Sequence, residues 1–78
     1  MSGMPPQWTG DLRTKIRLIV VNNPKRQGLK SRQRYALYRT GMTVAEYVEA
    51  CKEAPNPQYA LNDIHWDEYR GFIELVKP

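Results

Sequence analysis

The residues best suited to chemistry in this sequence are basic ones that lie in a short stretch between positions 25 and 39. They are Lys25, Arg26, Lys30, Ser31, Arg32, Arg34 and Arg39. Lys and Arg side chains neutralise phosphates and release the counterions around them. A hydroxyl group and the N–H groups at a helix start can also donate hydrogen bonds to phosphate oxygens. The stretch therefore predicts a surface that binds nucleic acid.

The distribution of charge along the chain favours a basic face. The chain has 78 residues and a net charge of +4. Residues 1–39 hold nine cations and one anion, whereas residues 40–78 hold three cations and seven anions. Such segregation is typical of a protein with an anionic partner. The alternative is an ordinary solvated surface, because the acidic half can pair with the basic half in the folded chain and weaken the outward field.

No pattern in the sequence assembles a catalytic or metal site. The glycines are too widely spaced for a phosphate-binding loop, and His65 is the single histidine. Asp63 and Asp67 flank His65 at a spacing that would share one face on a strand but not on a helix. Cys51 is the only soft candidate for a further ligand, and a small core residue is its more common role. We therefore expect a protein that is not an enzyme and that needs no metal or cofactor.

We expect a small single α+β domain over residues 12–78 to position the basic stretch. An irregular leader over residues 1–11, anchored by Trp8, precedes this domain. Residues 12–21 alternate apolar with cationic side chains and predict a strand whose apolar face packs on helices. Residues 72–76 predict a closing strand that pairs with the first. The predicted order is strand, helix, helix, helix, strand, as in a helix-turn-helix or winged-helix-like domain.

The first predicted helix covers about residues 32–40, with Ser31 as its N-cap and Gly41 as its stop. Arg32 and Arg34 would then lie in the first turn, where the helix dipole disfavours cations unless an anion binds nearby. Tyr35 and Tyr38 could stack on exposed bases. At this helical spacing they are more commonly core residues.

The second and third helices differ in how clearly the sequence predicts them. Thr43 and Glu46 form a capping box. The apolar stripe of an amphipathic helix follows it, at Val44, Tyr47, Val48 and Cys51. Residues 61–70 fit either a third helix or a short strand with a hairpin loop, and we favour the helix.

In a helix-turn-helix protein the segment around 61–70 would enter the DNA groove. Here that segment contains Asp63, Asp67 and Glu68, which phosphates would repel. We therefore expect nucleic acid at the 25–39 surface, with little sequence-specific readout.

The cysteine content and the hydropathy of the chain indicate its compartment. A single cysteine cannot form an internal disulfide, which suggests a reducing environment. The N-terminal residues do not resemble a signal peptide, and the longest apolar run, at 18–21, is far too short for a membrane span. We expect a cytoplasmic protein that does not associate with a membrane.

Three stretches of the chain resemble short uncharacterised proteins encoded in bacteriophage and prophage genomes. They are Asn23-Pro24-Lys25-Arg26, then Ser31-Arg32-x-Arg34-Tyr35-x-x-Tyr38-x-x-Gly41-Met42-Thr43-Val44-x-Glu46-Tyr47, then Asp63-Ile64-x-Trp66-Asp67-x-x-Arg70-Gly71-Phe72-Ile73. The resemblance covers about residues 22–76 and transfers no role to any residue. It implies the cytoplasm of a bacterial or phage-infected cell.

The resemblance also raises a second class of function, because small phage proteins often bind and disable a host protein complex, for example an RNA-guided defence complex. Two hypotheses follow. One is a nucleic-acid-binding protein that uses a strand–loop–helix surface over residues 13–39. The other is a protein-binding inhibitor or adaptor. Both leave open whether the protein is a monomer or a homodimer.

Overall fold

The two ends of the described chain meet in an antiparallel pair of strands. The computed structural model describes residues 6–78, and residues 1–5 of the predicted leader lie outside it. Its elements are β1 (Lys15–Leu18), α1 (Lys30–Tyr35), α2 (Val44–Cys51), a 3-10 turn (Pro57–Tyr59), α3 (Ala60–Tyr69) and β2 (Ile73–Val76). Ile16 lies opposite Leu75, and Leu18 lies opposite Ile73. The predicted α+β class and the pairing of the end strands are confirmed.

β1 is shorter than the predicted strand over residues 12–21. The Thr14 N–H donates to the Asp11 carbonyl at 2.9 Å, and this turn holds residues 11–14 out of the strand. The paired register ends at Leu18 opposite Ile73, and the Ile19 N–H makes one further bond to the Phe72 carbonyl at 3.1 Å. Ile16 is fully buried, as its predicted face requires, but Val21 is 96% exposed.

The other edge of β1 is covered by the chain that leads into α2. The Ile16 N–H donates to the Met42 carbonyl at 2.7 Å, and the Gly41 N–H donates to the Ile16 carbonyl at 2.8 Å. Gly41 has φ of +97°, a left-handed conformation that side-chain-bearing residues rarely adopt. This bend lets the segment pair with β1 and then enter α2 directly.

α2 forms as predicted and supplies the centre of the core. The Thr43 hydroxyl accepts from the Glu46 N–H at 3.1 Å, while the Glu46 carboxylate accepts from the Thr43 N–H at 2.8 Å. Tyr47 and Cys51 are fully buried. The Tyr47 ring stacks on Tyr38 with 4.2 Å between centroids. The expectation that Tyr38 is a core residue is therefore confirmed.

The prediction for α1 was wrong at both ends. The helix begins at Lys30 and ends at Tyr35, and its N-cap is Leu29, which makes no side-chain capping bond. After Tyr35 the α-helical bonding gives way to a tighter turn, in which the Tyr38 N–H donates to the carbonyl three residues earlier, that of Tyr35, at 3.0 Å. Both tyrosines thereby enter the core, with their rings edge to face at 4.9 Å.

Because α1 ends earlier than predicted, its arginines lie at a different end of the helix dipole. Arg32 and Arg34 lie in the last turn of the helix. Cations are favoured at that end of the helix dipole. The unfavourable placement of two arginines at the start of a helix is therefore absent. The helix dipole gives no reason to expect a bound anion here.

Residues 60–69 form the predicted third helix, and the hairpin alternative is excluded. Trp8 packs against the core and donates its backbone N–H to the Leu61 carbonyl at 3.1 Å. Across residues 6–78, no helix combines the length and the apolar character needed to cross a bilayer.

Candidate nucleic-acid interface

Arg34 is a core residue and not a surface cation. Its Nε lies 2.5 Å from Asp63 Oδ2 and its Nη2 lies 3.1 Å from Asp63 Oδ1. The Arg34 Nη1 also donates to the Pro55 carbonyl at 3.0 Å. All three guanidinium nitrogens thus donate hydrogen bonds within the protein, and the side chain is only 6% exposed. Arg34 is not available for the phosphate contact that the sequence predicted, because its donors already serve the fold.

The Lys25 side chain is also largely buried and ion-paired. Its Nζ lies 2.6 Å from Asp67 Oδ1, and the side chain is 10% exposed. The Tyr38 hydroxyl donates to the other carboxylate oxygen of Asp67 at 2.8 Å. Desolvation raises the pKa of Asp67, although Lys25 and Tyr38 both act to lower it. Lys25 therefore positions the loop that carries it and is not itself a free phosphate ligand.

The two aspartates of α3 point into the protein. Asp63 and Asp67 are one helical turn apart and both are buried. Each receives one cation and one tyrosine hydroxyl, since Tyr47 donates to Asp63 Oδ2 at 3.0 Å. Asp63 and Asp67 are therefore ion-paired inside the protein and do not form the exposed acidic face that the sequence suggested for this helix. Glu68, the third acidic residue, is exposed and lines a separate pocket.

Hydrogen bonds fix the shape of residues 23–29, here called the basic loop. Asn23 accepts from the Lys25 N–H at 3.0 Å and donates from Nδ2 to the Arg32 carbonyl at 3.0 Å. The Arg32 Nη1 closes the loop by donating to the Lys25 carbonyl at 2.6 Å. Gly28 occupies the third position of the turn over 26–29 with φ of +89°. The loop thus presents its outward side chains from a fixed backbone.

The basic loop faces the end of α3 across a pocket that we call the Trp66 pocket. Its volume is about 540 Å³. It is lined by Pro24, Lys25, Arg26, Leu29, Trp66, Arg70 and Phe72. The guanidinium carbon of Arg70 lies 5.4 Å from the Trp66 ring centroid and 5.9 Å from that of Phe72. Two arginines thus accompany two aromatic rings at one site.

The predicted site residues do not all share this surface. Arg26 lines the Trp66 pocket, while Ser31 lines an adjoining pocket that also includes Lys25 and Trp66. Lys30 is exposed at the start of α1, and Arg32 is half-buried. Arg39 is exposed in the turn before α2, where its backbone N–H donates to the Met42 sulfur.

The strand part of the predicted surface is largely neutralised. Arg13 pairs with Asp11 at 2.8 Å, and Arg17 pairs with Glu74 at 3.1 Å, both on the surface. The pairs of Arg17, Lys25 and Arg34 each join the basic half of the chain to the acidic half. The expected internal neutralisation is confirmed at these three pairs. Lys15 keeps an exposed charge on the strand, and the loop and the start of α1 add those of Arg26 and Lys30.

The site residues predicted from the sequence did not include Trp66 and Arg70. Trp66 is 49% exposed on α3, and Arg70 caps that helix one turn later. The spacing of four residues is the signal that could have indicated a stacked pair on one helix face. In the sequence, Asp63 and Asp67 between and beside these residues mask this signal.

Other chemistry has little support in the described part of the chain. Among residues 6–78, no group of three or more His, Cys, Asp or Glu side chains could hold a metal ion. Cys51 is a free, buried thiol, and burial raises its pKa. This supports its interpretation as a core residue. Comparison of the chain with protein-family models, with curated proteins and with solved structures finds no match.

Proposed function

We propose that the protein binds nucleic acid through the outer side of the basic loop and the Trp66 pocket. The observation that carries the proposal is the inward orientation of Asp63 and Asp67. Because each is neutralised inside by a basic-half cation, neither of these two carboxylates opposes the exposed Arg26 and Arg70 at the pocket. The surface that remains is cationic, aromatic and fixed in shape.

Under this proposal, some residues contact the nucleic acid and others hold the binding surface in shape. Arg26, Lys30 and Arg70 contact phosphates, and Arg32 both contributes charge and closes the loop. Lys25 and Arg34 act from within by holding the loop and α1 on α3. Phosphate contacts carry no sequence information by themselves, so binding depends on salt and little on base sequence.

Fluorescence anisotropy with labelled single-stranded and duplex oligonucleotides, at low and at physiological salt, tests the proposal. Wild type should bind in the micromolar range or tighter, and affinity should fall steeply with salt. The double variant Arg26→Glu, Lys30→Glu should weaken binding on the order of tenfold or more. Lys52→Glu, Lys77→Glu makes the same change in net charge elsewhere and should retain affinity. Equal affinities of the two double variants would overturn the proposed surface.

The second candidate is an inhibitor or adaptor that binds a host protein complex. Leu29, Trp66 and Tyr69 are large apolar side chains exposed near arginines, and Tyr69 is 76% exposed. Trp, Tyr and Arg are the residue types that dominate protein-binding energies. A stoichiometric protein partner that survives nuclease treatment and is lost with Tyr69→Ala would favour this candidate. Recovery of nucleic acid alone would count against it.

The cellular setting belongs to the same proposal. A free, buried cysteine supports a reducing compartment, which we take to be the cytoplasm of a bacterial or phage-infected cell. The protein acts there by binding and not by catalysis. No membrane takes part in this proposal.

A further inference from the structure

Trp66 is a large aromatic side chain that is half exposed. About half of its side chain faces solvent, because a residue two positions after the buried Ile64 lies on nearly the opposite side of the helix. An indole left exposed forgoes the stabilisation that burial of a large aromatic side chain provides. The Arg70 guanidinium lies over the ring at 5.4 Å, and Tyr69 lies beside it at 6.0 Å between centroids. One edge of the pocket is therefore a partly open aromatic surface next to a cation.

The pocket combines apolar surface with cations, which suits a flat aromatic group that carries negative charge. Trp66, Phe72 and Leu29 supply apolar surface, while Arg26 comes from the loop and Arg70 from the end of α3. A nucleobase with its two flanking phosphates has this combination of a stacking face and adjacent anions.

We propose that the Trp66 pocket binds one unpaired base of a single-stranded nucleic acid by stacking, with Arg26 and Arg70 at the flanking phosphates. This inference rests on the proposed function and specifies its substrate class. A base within a duplex is already stacked and paired, so it cannot enter the pocket without first being extruded. α1 is only six residues long and carries the buried Arg34 and Tyr35, so it is not a helix that could read a major groove. The protein therefore prefers single strands to duplexes.

Tryptophan fluorescence with matched oligonucleotides tests the stacking contact. In a Trp8→Phe background, Trp66 is the only tryptophan, so its emission reports the pocket alone. We would titrate this protein with oligo-dT, with an abasic strand of the same length and phosphate count, and with a duplex. Oligo-dT should quench Trp66 and bind roughly 5- to 100-fold more tightly than the abasic strand. The abasic strand should still bind in a salt-dependent manner.

Substitutions of Trp66, made in the wild-type background and followed by anisotropy, complete the test. Trp66→Ala should bind oligo-dT only as well as wild type binds the abasic strand, and Trp66→Phe should restore part of the difference. Far-UV circular dichroism should show a retained fold, because the side chain is half exposed.

The two proposals fail in distinguishable ways. Equal binding of oligo-dT and the abasic strand without quenching, or duplex binding as tight as that of oligo-dT, would overturn the base pocket and leave phosphate binding in place. Failure of every strand to bind at low salt would overturn the proposed function and the base pocket together. Binding of an acidic protein, with no binding of any oligonucleotide, would also overturn both proposals.

Discussion

Arg34 and Asp63 lie 29 residues apart in the chain and form a buried two-point ion pair that joins α1 to α3. A second buried pair, between Lys25 and Asp67, lies one helical turn further along α3. Together they attach the basic loop and α1 to α3. Two of the nine cations in residues 1–39 are thus structural, and of the remainder Arg26 and Lys30 are exposed at the candidate surface.

Removing the arginine from the first pair should destabilise the protein strongly. Arg34→Met leaves the Asp63 carboxylate buried with only the Tyr47 hydroxyl as a partner. Loss of one member of a buried ion pair costs about 3–5 kcal/mol in the free energy of unfolding. Urea unfolding followed by circular dichroism measures the loss as a lower midpoint.

The matched control is the double variant Arg34→Met, Asp63→Leu, which removes both charges. It should be more stable than Arg34→Met alone, because no unpaired charge remains in the interior. A double variant less stable than either single variant would contradict the view that the unpaired carboxylate causes the loss.

The parts of the fold that the sequence predicted correctly depend on local signals. The capping box at Thr43 and Glu46 and the stripe that follows it specify α2 within about ten residues of chain. The alternation before Leu18 and the β-branched run at the C-terminus likewise define the paired strands. These features are visible without knowledge of any distant residue.

The errors concern residues whose roles depend on distant partners. Ser31 has the chemistry of an N-cap, but the turn over 26–29 starts the helix before it. Neither the sequence position of Arg34 nor that of Lys25 reveals a buried aspartate 29 or 42 residues away. Trp66 could equally have been a core residue, and only the packing of α3 determines that it faces outward.

Lys25 and Arg26 are adjacent in sequence but should respond differently to substitution. Lys25→Met breaks the buried contact with Asp67 and should lower the free energy of unfolding by about 3 kcal/mol. Arg26→Met, at an exposed position, should change stability by less than about 0.5 kcal/mol while weakening nucleic-acid binding. Paired urea unfolding and anisotropy measurements separate the two effects. Equal stability of the two variants would show that the Lys25 contact contributes little.

The capping box should make a measurable contribution to stability. Thr43→Ala removes the hydroxyl that accepts from the Glu46 N–H, so one donor at the start of α2 loses its partner. The expected loss is about 1 kcal/mol. Thr9→Ala, at an exposed position before β1, is the matched control and should leave the urea midpoint nearly unchanged. Equal midpoints for Thr43→Ala and wild type would exclude a role of the cap in stability.

Stability should decrease at alkaline pH because buried groups resist ionisation. Burial is the main cause that raises the pKa values of Tyr38, Tyr47 and Cys51 above their ordinary values in the folded protein. A group with a raised pKa contributes stability that is complete below its unfolded pKa and is lost as pH rises above it. The unfolded pKa values are about 8.5 for cysteine and about 10 for tyrosine, so the loss begins near pH 9.

Above pH 10 the free energy of unfolding should decrease by about 1.4 kcal/mol per pH unit for each of these groups. Urea midpoints measured between pH 7 and pH 11 give this slope, and absorbance at 295 nm reports tyrosinate formation. The tyrosinate signal of Tyr38 and Tyr47 should develop together with unfolding, because the folded core does not accommodate either anion. A midpoint that stays constant up to pH 11 would contradict the burial of these side chains.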